Sequence, residues 1–304
     1  MAVHSYMFGL QSFHVDNCRS KGDHNDSDWL TVTVSTEQRV FPGQVMLLGD
    51  NLHAGDLRTH VYAGPFDIDD NDVVTVTYFV VNLAHEAASD QQRQAEQIAL
   101  GVGSAVLAAL TGVGAWETFK SALSDQALKG LVTGILGAAS GVLGGLAGIL
   151  GWSPSDPNCN GEVFTRTFTF APGHLSQQAP LIVGPATETA RSPSECGNDP
   201  HSAVVYCVQE VQHGWRSCPK CQSLFFGPFK GGSHCPQGGT HDDAGSFDYV
   251  TIFDEPARER VQTGWRACPK CQGFFFGPFK DRSRCAAGGA HDDAGSFAYI
   301  AAFM

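Results

Sequence analysis

The alternation of apolar and polar positions predicts a β-rich first part of the chain. Trp29–Ser35 alternates with a period of two, and so does Val73–Asn82, with turn-forming Gly, Asp and Asn residues between such runs. The same alternation returns at Val163–Phe170 and at Ala203–Val208. Short strands separated by turn residues are typical of an antiparallel β-sandwich. We therefore expect residues 1–208 to form one such domain.

A long segment that favours helix, at about residues 90–152, interrupts these strands. It contains two stretches without a charged residue, Ile98–Ala115 and Gly130–Trp152. As helices they would be about 27 and 34 Å long, and the apolar core of a bilayer is about 30 Å thick. The charged residues between them would form a polar connection. The sequence therefore predicts an apolar helical hairpin inserted into the β domain.

Small residues recur at every fourth position of this hairpin. Such spacing lets two helix backbones approach closely, in a membrane or between subunits. The expected contact face consists of Gly101, Ala105 and Ala109 in the first stretch, with Gly137, Gly141, Gly145, Gly144 and Gly148 in the second.

Two interpretations of the hairpin remain open at this stage. It could be a buried or subunit-contact element of an always soluble protein, since Ala/Gly-rich core helices are common. Alternatively, it resembles the hydrophobic hairpins of colicin-type and other α-helical pore-forming toxins, which fold as soluble proteins and insert later. That resemblance implies a lipid membrane as a partner and assembly into a homo-oligomer.

The last third of the chain is a tandem repeat. Residues 211–253 align with 261–303 without a gap, and 29 of the 43 aligned positions are identical. Because the copies share one fold, we place one module at 209–254 and the other at 260–304.

Each module carries the spacing Cys-x2-Cys-x13-Cys-x5-His. Zinc favours thiolate and imidazole ligands, and Cys₃His is a closed structural set that leaves no position for a catalytic water. We predict two zinc ions per chain. Their ligands would be Cys218, Cys221, Cys235 and His241 in the first module, and Cys268, Cys271, Cys285 and His291 in the second.

Disulfides are the alternative use of cysteine. Three cysteines per module cannot pair off within a module, which favours zinc there. The remaining four, Cys18, Cys159, Cys196 and Cys207, allow two disulfides in three pairings. Their separation along the chain favours Cys196 with Cys207.

Other residues shared by the modules are candidates for ligand binding. The aromatic ones could form a stacking surface for sugars, although the module's own core is the favoured interpretation. The aspartates after each ligand histidine could accept its ring N–H or contact a polar ligand. These candidates are Trp215, Trp265, Asp242, Asp243, Asp292 and Asp293.

The module motif, Gly-Trp-Arg-x-Cys-x-Lys-Cys-Gln-x-x-Phe-Phe followed by Cys-x-x-Gly-Gly-x-His and Gly-Ser-x-x-Tyr, resembles tandem repeats of bacterial proteins, many of them exported. The resemblance covers residues 211–304 and implies a binding appendage. A receptor or a glycan would be its partner.

Charge and motifs narrow the function further. The net charge of the chain is −12, and residues 1–210, with nine basic and 22 acidic residues, account for −13 of it, while residues 211–304 are close to neutral. This balance argues against nucleic-acid binding, which needs a basic surface.

No Gly-x-Ser-x-Gly, Walker A or His-Glu-x-x-His motif occurs, so we predict no enzyme. The N-terminus lacks the pattern of a secretory signal, and the localisation stays open.

Two acidic clusters could bind Ca²⁺, because oxygen-rich loops at one end of a β-sandwich can do so. Asp-rich turns are more often simply turns. The clusters are Asp16, Asp23, Asp26 and Asp28, and Asp67, Asp69, Asp70 and Asp72.

These observations predict a bacterial, toxin-like, membrane-active protein with a zinc-module tail for targeting or receptor binding. The competing prediction is a non-toxic ligand-binding or assembly protein, whose hairpin is buried or forms an oligomer contact.

Overall fold

A computed structural model describes residues 3–20, 26–36, 38–83, 91–93, 95–96, 159–192, 196, 199–253 and 261–302. The chain divides into two compact units, Met1–Val208 and Gln209–Met304. Strand β8 (His201–Ser217) begins in the first unit and ends in the second.

The first unit is built from antiparallel strands. They are β1 (Val3–Asn17), β2 (Asp26–Ser35), β3 (Gln44–Leu52), β4 (Leu57–Asp69), β5 (Val74–Asn82), β6 (Gly161–Phe170), β7 (Leu181–Thr189) and the start of β8, with one short helix, α1 (His174–Gln178). One sheet has the order β3-β2-β5-β6. In the other, β1 lies between β4 and β8, and β7 pairs with the start of β8. The expected mainly-β fold is confirmed.

Both sheets contribute to one apolar core. Leu30 and Val32 of β2 lie in the same buried cluster as Phe8 and Leu10 of β1. Since side chains alternate between the two faces of a strand, each sheet turns its apolar face toward this core. The period-two pattern of the sequence is the cause of this arrangement.

The segment predicted to form the hairpin runs between two strands that are hydrogen-bonded to each other. Asn82, at the end of β5, stands opposite Gly161, at the start of β6. Residues 91–93 and 95–96 are helical, and Trp29 Nε1 donates a hydrogen bond to Gln91 Oε1 at 3.1 Å. The rest of the hairpin, with its small-residue face, lies outside the described residues. No helix in the described ranges has the length and apolar character needed to cross a membrane.

A buried polar network surrounds the point where β5 ends and β6 begins. Arg19 Nε donates to the Cys159 carbonyl at 2.9 Å, and Asn82 Oδ1 accepts from the Ser27 N–H at 3.0 Å. The Asp26 carboxylate accepts the backbone N–H of Arg19 at 2.6 Å. These bonds hold three strand ends together.

A disulfide joins Cys159 to Cys196, so the expected pairing of Cys196 with Cys207 is wrong. Cys207 keeps its thiol and is buried in β8, where it stands opposite Ile182 of β7. An extended strand rises about 3.3 Å per residue, which carries Cys207 roughly 20 Å along β8 from His201. Cys196 and Cys207 are therefore close in sequence but do not form a disulfide.

The second unit is a ring of short strands. Besides the end of β8 it contains β9 (Leu224–Phe226), β10 (Tyr249–Phe253), β11 (Val261–Ala267), β12 (Phe274–Phe276) and β13 (Tyr299–Ala302), with 3₁₀ turns at Gly227–Gly232 and Gly277–Arg282. The strands pair in the order β9-β8-β10-β13-β11-β12. An isolated bridge between Phe225 of β9 and Gly273, the residue before β12, closes the ring.

The two modules face each other across an approximate two-fold axis. Ile252 stands opposite Ile300 in the β10–β13 pair, so this register places Thr251 opposite its own counterpart, residue 301. The bridge between Phe225 and Gly273 likewise places Leu224 opposite its counterpart, Phe274. Equivalent segments therefore meet at both junctions of the modules.

Candidate metal centres

The first pair of ligand cysteines sits on a tight turn between β8 and β9. The Cys218 N–H donates to the Ser223 carbonyl at 2.9 Å, and the Gln222 N–H donates to the Cys218 carbonyl at 2.6 Å. Gln222 adopts a left-handed φ of 58°. The second module repeats this turn, with Gln272 at φ 62°. Both thiols of each pair are thereby directed to one side.

The third cysteine lies on a second turn, which explains the Gly-Gly of the motif. The Cys235 N–H donates to the Gly239 carbonyl at 2.8 Å, and the Gly238 N–H returns a bond to the Cys235 carbonyl at 2.9 Å. Gly238 and Gly239 have φ values of 94° and 68°. Residues with a Cβ rarely adopt this region, so the turn requires glycine at both positions.

The lysine between the paired cysteines ties the two turns together. Lys220 Nζ donates to the Gly238 and Thr240 carbonyls at 3.2 and 2.6 Å, and Lys270 Nζ donates to the Ala290 carbonyl at 2.6 Å. The sequence signal for this role is the recurrence of the lysine at the same place in both copies.

Four ligand atoms come together in each module. The side chains of Cys218, Cys221, Cys235 and His241 place their ligand atoms within 4.8 Å of one another, as do those of Cys268, Cys271, Cys285 and His291. The Cys218–Cys235 sulfur distance is 3.9 Å, and Cys268–Cys285 is 3.7 Å. A tetrahedron with metal–sulfur bonds of about 2.3 Å has sulfur–sulfur edges of about 3.8 Å. The residues present therefore fit a tetrahedral metal ion.

The ligand histidines are held by aromatic stacking. Phe225 is fully buried and its ring stacks on His241 at 4.7 Å and 12°, while Phe275 stacks on His291 at 4.6 Å and 9°. His241 Nδ1 lies 3.4 Å from the Cys221 sulfur, so this ring nitrogen faces the cysteine ligands. Stacking of this kind fixes the ring plane before a metal binds.

Backbone N–H groups prepare one thiolate in each module. Burial alone would raise the pKa of Cys218, but the hydrogen bonds from the Asp242 N–H and from His241 lower it to about 6. In the second module the Asp292 N–H likewise lowers the pKa of Cys268 against the effect of burial. Burial also lowers the pKa of His291, which keeps its ring neutral. Thiolate and neutral imidazole are the forms that bind zinc.

The aspartates that follow each histidine contact the backbone of the next turn or a lysine of the 3₁₀ turn. Asp242 Oδ1 accepts the Ala244 N–H at 3.2 Å, which caps the turn after the ligand. Asp243 forms an ion pair with Lys230, and Asp293 with Lys280 at 2.6 Å. In the contacts described for these side chains, their partners are the turn and the 3₁₀ lysine rather than the ligand ring. Asp292 caps its turn in the same way, through the Ala294 N–H at 3.1 Å.

The module aromatics divide between core and surface. Trp215 is fully buried, with its Nε1 donating to Gln212 Oε1 at 3.1 Å, and Tyr299 is also buried. Phe274 packs against Trp215 at 5.0 Å and stacks on Trp265 at 5.1 Å. Four phenylalanines remain exposed, two equivalent ones in each module: Phe229, Phe247, Phe279 and Phe297.

The acidic loops give no cluster for the predicted Ca²⁺ in the part of the chain that the structure describes, where only the two Cys₃His groups assemble metal ligands. Asp67 accepts from Ser5 Oγ at 2.6 Å, Asp70 lies 3.3 Å from His4 Nε2, and Asp16 lies 2.8 Å from His14 Nδ1. Asp23 falls outside the described residues. These aspartates serve local turns and strand ends.

Comparisons with known proteins find no relative: no family model matches the chain, and no curated protein or solved structure matches it either.

Proposed function

We propose that the protein is a non-catalytic binding protein whose C-terminal unit folds around two zinc ions and recognises a partner. The observation that carries this proposal is the complete ligand set of each module. Four protein ligands in tetrahedral reach fill the coordination sphere of zinc, so the metal would supply folding energy rather than an open position for substrate.

Cobalt substitution tests this assignment. Replacing zinc by Co²⁺ in the full-length protein should give the intense visible absorption of a tetrahedral site with three sulfur ligands, at two ions per chain. Added azide should leave that spectrum unchanged, because no position is open. A spectrum that shifts with azide would reveal an exchangeable ligand and would argue for a catalytic metal.

A second candidate function, a toxin-like membrane-active protein, is supported by how β5 and β6 frame the uncharged segment. Asn82 and Gly161 are paired neighbours, so both ends of the segment between them start from one place in the sheet. Such a segment could move from the protein into a membrane while β5 and β6 stay paired.

Dye leakage from liposomes, with and without acidification, tests the second candidate. Leakage by the unmutated protein should be abolished by Gly141→Leu or Gly145→Leu, since bulky side chains would separate packed helices in lipid. Leu143→Lys should block insertion at a cost of about 3 kcal/mol. Zinc content serves as the folding control for each variant. If the unmutated protein never permeabilises any of several lipid mixtures, the membrane-active function is excluded and the binding function remains.

A further inference from the structure

A cavity of about 200 Å³ lies between the two zinc modules. Trp215 and Phe226 of the first module and Tyr299 of the second contribute to its walls. It is also lined by two exposed phenylalanines, Phe229 on the 3₁₀ turn after β9 and Phe297 before β13. Their side chains are 59% and 57% exposed, respectively. The cavity thus combines aromatic walls with apolar groups that face solvent.

The polar groups in this cavity already have partners. Gln212 Oε1 accepts from Trp215 Nε1 at 3.1 Å and from the Tyr299 hydroxyl at 2.6 Å. Gln272 Nε2 donates to the Pro269 carbonyl at 2.8 Å. Ser296 Oγ donates to the Phe297 carbonyl and accepts the Ala267 N–H, each at 2.8 Å. A sugar would have to bury hydroxyl groups without compensation from these side chains, which is unfavourable.

No Asp, Glu, Lys, Arg or His lines the cavity. Ligand sites for small molecules usually measure about 300–1,000 Å³, so this cavity is closer to the size of one side chain. A neutral, apolar group of that size matches both the lining and the volume.

The exposed phenylalanines occur in both modules. The counterparts of Phe229 and Phe297 are Phe279 and Phe247, which are 57% and 77% exposed. Other surface positions have diverged: residues 231, 232, 234, 236, 237 and 240 all differ from their counterparts. Exposed apolar side chains reduce solubility and commonly mark interaction sites. Their retention beside a diverged loop favours a binding role.

We propose that the cavity between Phe229 and Phe297 is a docking site for one aromatic or aliphatic side chain of a partner protein. This deepens the proposed function, on which it rests, by naming the chemistry of the ligand. A single apolar anchor in a small pocket is the kind of contact that dominates protein interfaces. Trp215, at the wall, is the natural reporter of occupancy.

Titration of the zinc-loaded full-length protein with indole, as a probe for an aromatic side chain, tests the site. The indole N–H resonance of Trp215 should shift with a dissociation constant on the order of 1–10 mM, which is typical for so small a ligand. The double variant Phe229→Ser/Phe297→Ser should weaken binding at least tenfold. The matched control Phe247→Ser/Phe279→Ser changes the same residue types at the equivalent positions and should leave the Trp215 response intact.

Several results would overturn this site. They are no shift of Trp215 with indole, an equal shift with methyl glucoside, or full binding by the Phe229→Ser/Phe297→Ser variant. Flotation with phosphatidylcholine/phosphatidylglycerol vesicles that depends on Phe229 and Phe297 would assign the surface to lipid instead. A negative result for the docking site is distinguishable from a negative result for the proposed function. Zinc stoichiometry and the cobalt spectrum test the latter separately.

Discussion

Each Cys₃His cluster lies within one module, so single substitutions at the proposed zinc sites should act module by module. Cys218→Ser should leave one zinc per chain, and Cys268→Ser should remove the other, as measured by elemental analysis of protein purified without chelator. Cys18→Ser, in the first unit, should keep two and serves as the control. If either single variant lost both ions, or kept both, the prediction that the two sites bind metal independently would be wrong.

Asp28 provides a test of buried charge in the first unit. It is buried, and its Oδ1 has no hydrogen-bond partner among the described groups. Burial, reinforced by Asp26, raises the pKa of Asp28 well above its usual range, although Arg19 acts in the opposite direction. The folded state therefore holds a proton that the unfolded state loses above about pH 4.

Stability linked to this proton is present below about pH 4 and is lost as the pH rises through the folded-state pKa of Asp28. Asp28→Asn should remove that slope and make the first unit more stable at neutral pH. Urea unfolding of both proteins between pH 5 and 8 measures the effect. A less stable Asn variant with an unchanged pH slope would mean that the ionised carboxylate has a stabilising role.

Some features of single residues could be predicted from the sequence, and others could not. The gathering of eight Cys and His side chains into two groups followed from their spacing and duplication. The stacking of Phe225 on His241 did not, because a buried phenylalanine gives no sequence signal that distinguishes ligand support from ordinary core. The ion pair of Asp243 was not predicted either, because its partner, Lys230, lies 13 residues away on a turn that no short-range pattern connects to it.

At the scale of elements, alternation predicted the strands, but not how strand ends meet. Cys159 precedes β6 and Cys196 precedes β8, and only the assembled sheets bring the two together. Separation along the chain was therefore a poor guide to pairing. The segment at about 90–152 remains a prediction from composition.

The Cys159–Cys196 disulfide should stabilise the first unit by restricting its unfolded state. It spans 37 residues, and a cross-link of that length contributes about 2–4 kcal/mol. We expect the double variant Cys159→Ala/Cys196→Ala to lose about that much free energy of unfolding in denaturant titrations. Its zinc content should stay at two per chain. An unchanged free energy of unfolding would show that Arg19 and Asn82 hold this region without the bond.

At the scale of the whole molecule, metal removal should affect one unit and spare the other. The buried apolar cluster of the first unit contains no described residue of the second. The described residues of the second unit have little buried core besides the cysteines of the two clusters and aromatic side chains. Structural zinc typically supplies a large part of the folding free energy of so small a unit.

Hydrogen–deuterium exchange in the presence of a strong chelator measures this difference. Protection should be lost across residues 209–304 and retained in β1, β2 and β5. Simultaneous loss of protection in both units would show that they unfold together.

The ring of strands makes a further prediction for a chain that ends at residue 260. Removing the second module leaves β10 without β13, and the two-fold register allows another copy of the same strand to take its place. We expect this truncated chain to dimerise, as measured by light scattering after size-exclusion chromatography. A monomer at high concentration would mean that Phe274, whose counterpart in the first module is Leu224, is required for the contact.

The two-fold ring has a consequence for dilution. Separate modules would associate only above their dissociation constant, whereas residues 254–260 join them in one chain and set a high effective concentration for their encounter, of millimolar order for a short linker. Assembly of the unit is then independent of how much protein is present. The two modules therefore stay paired at any dilution of the protein.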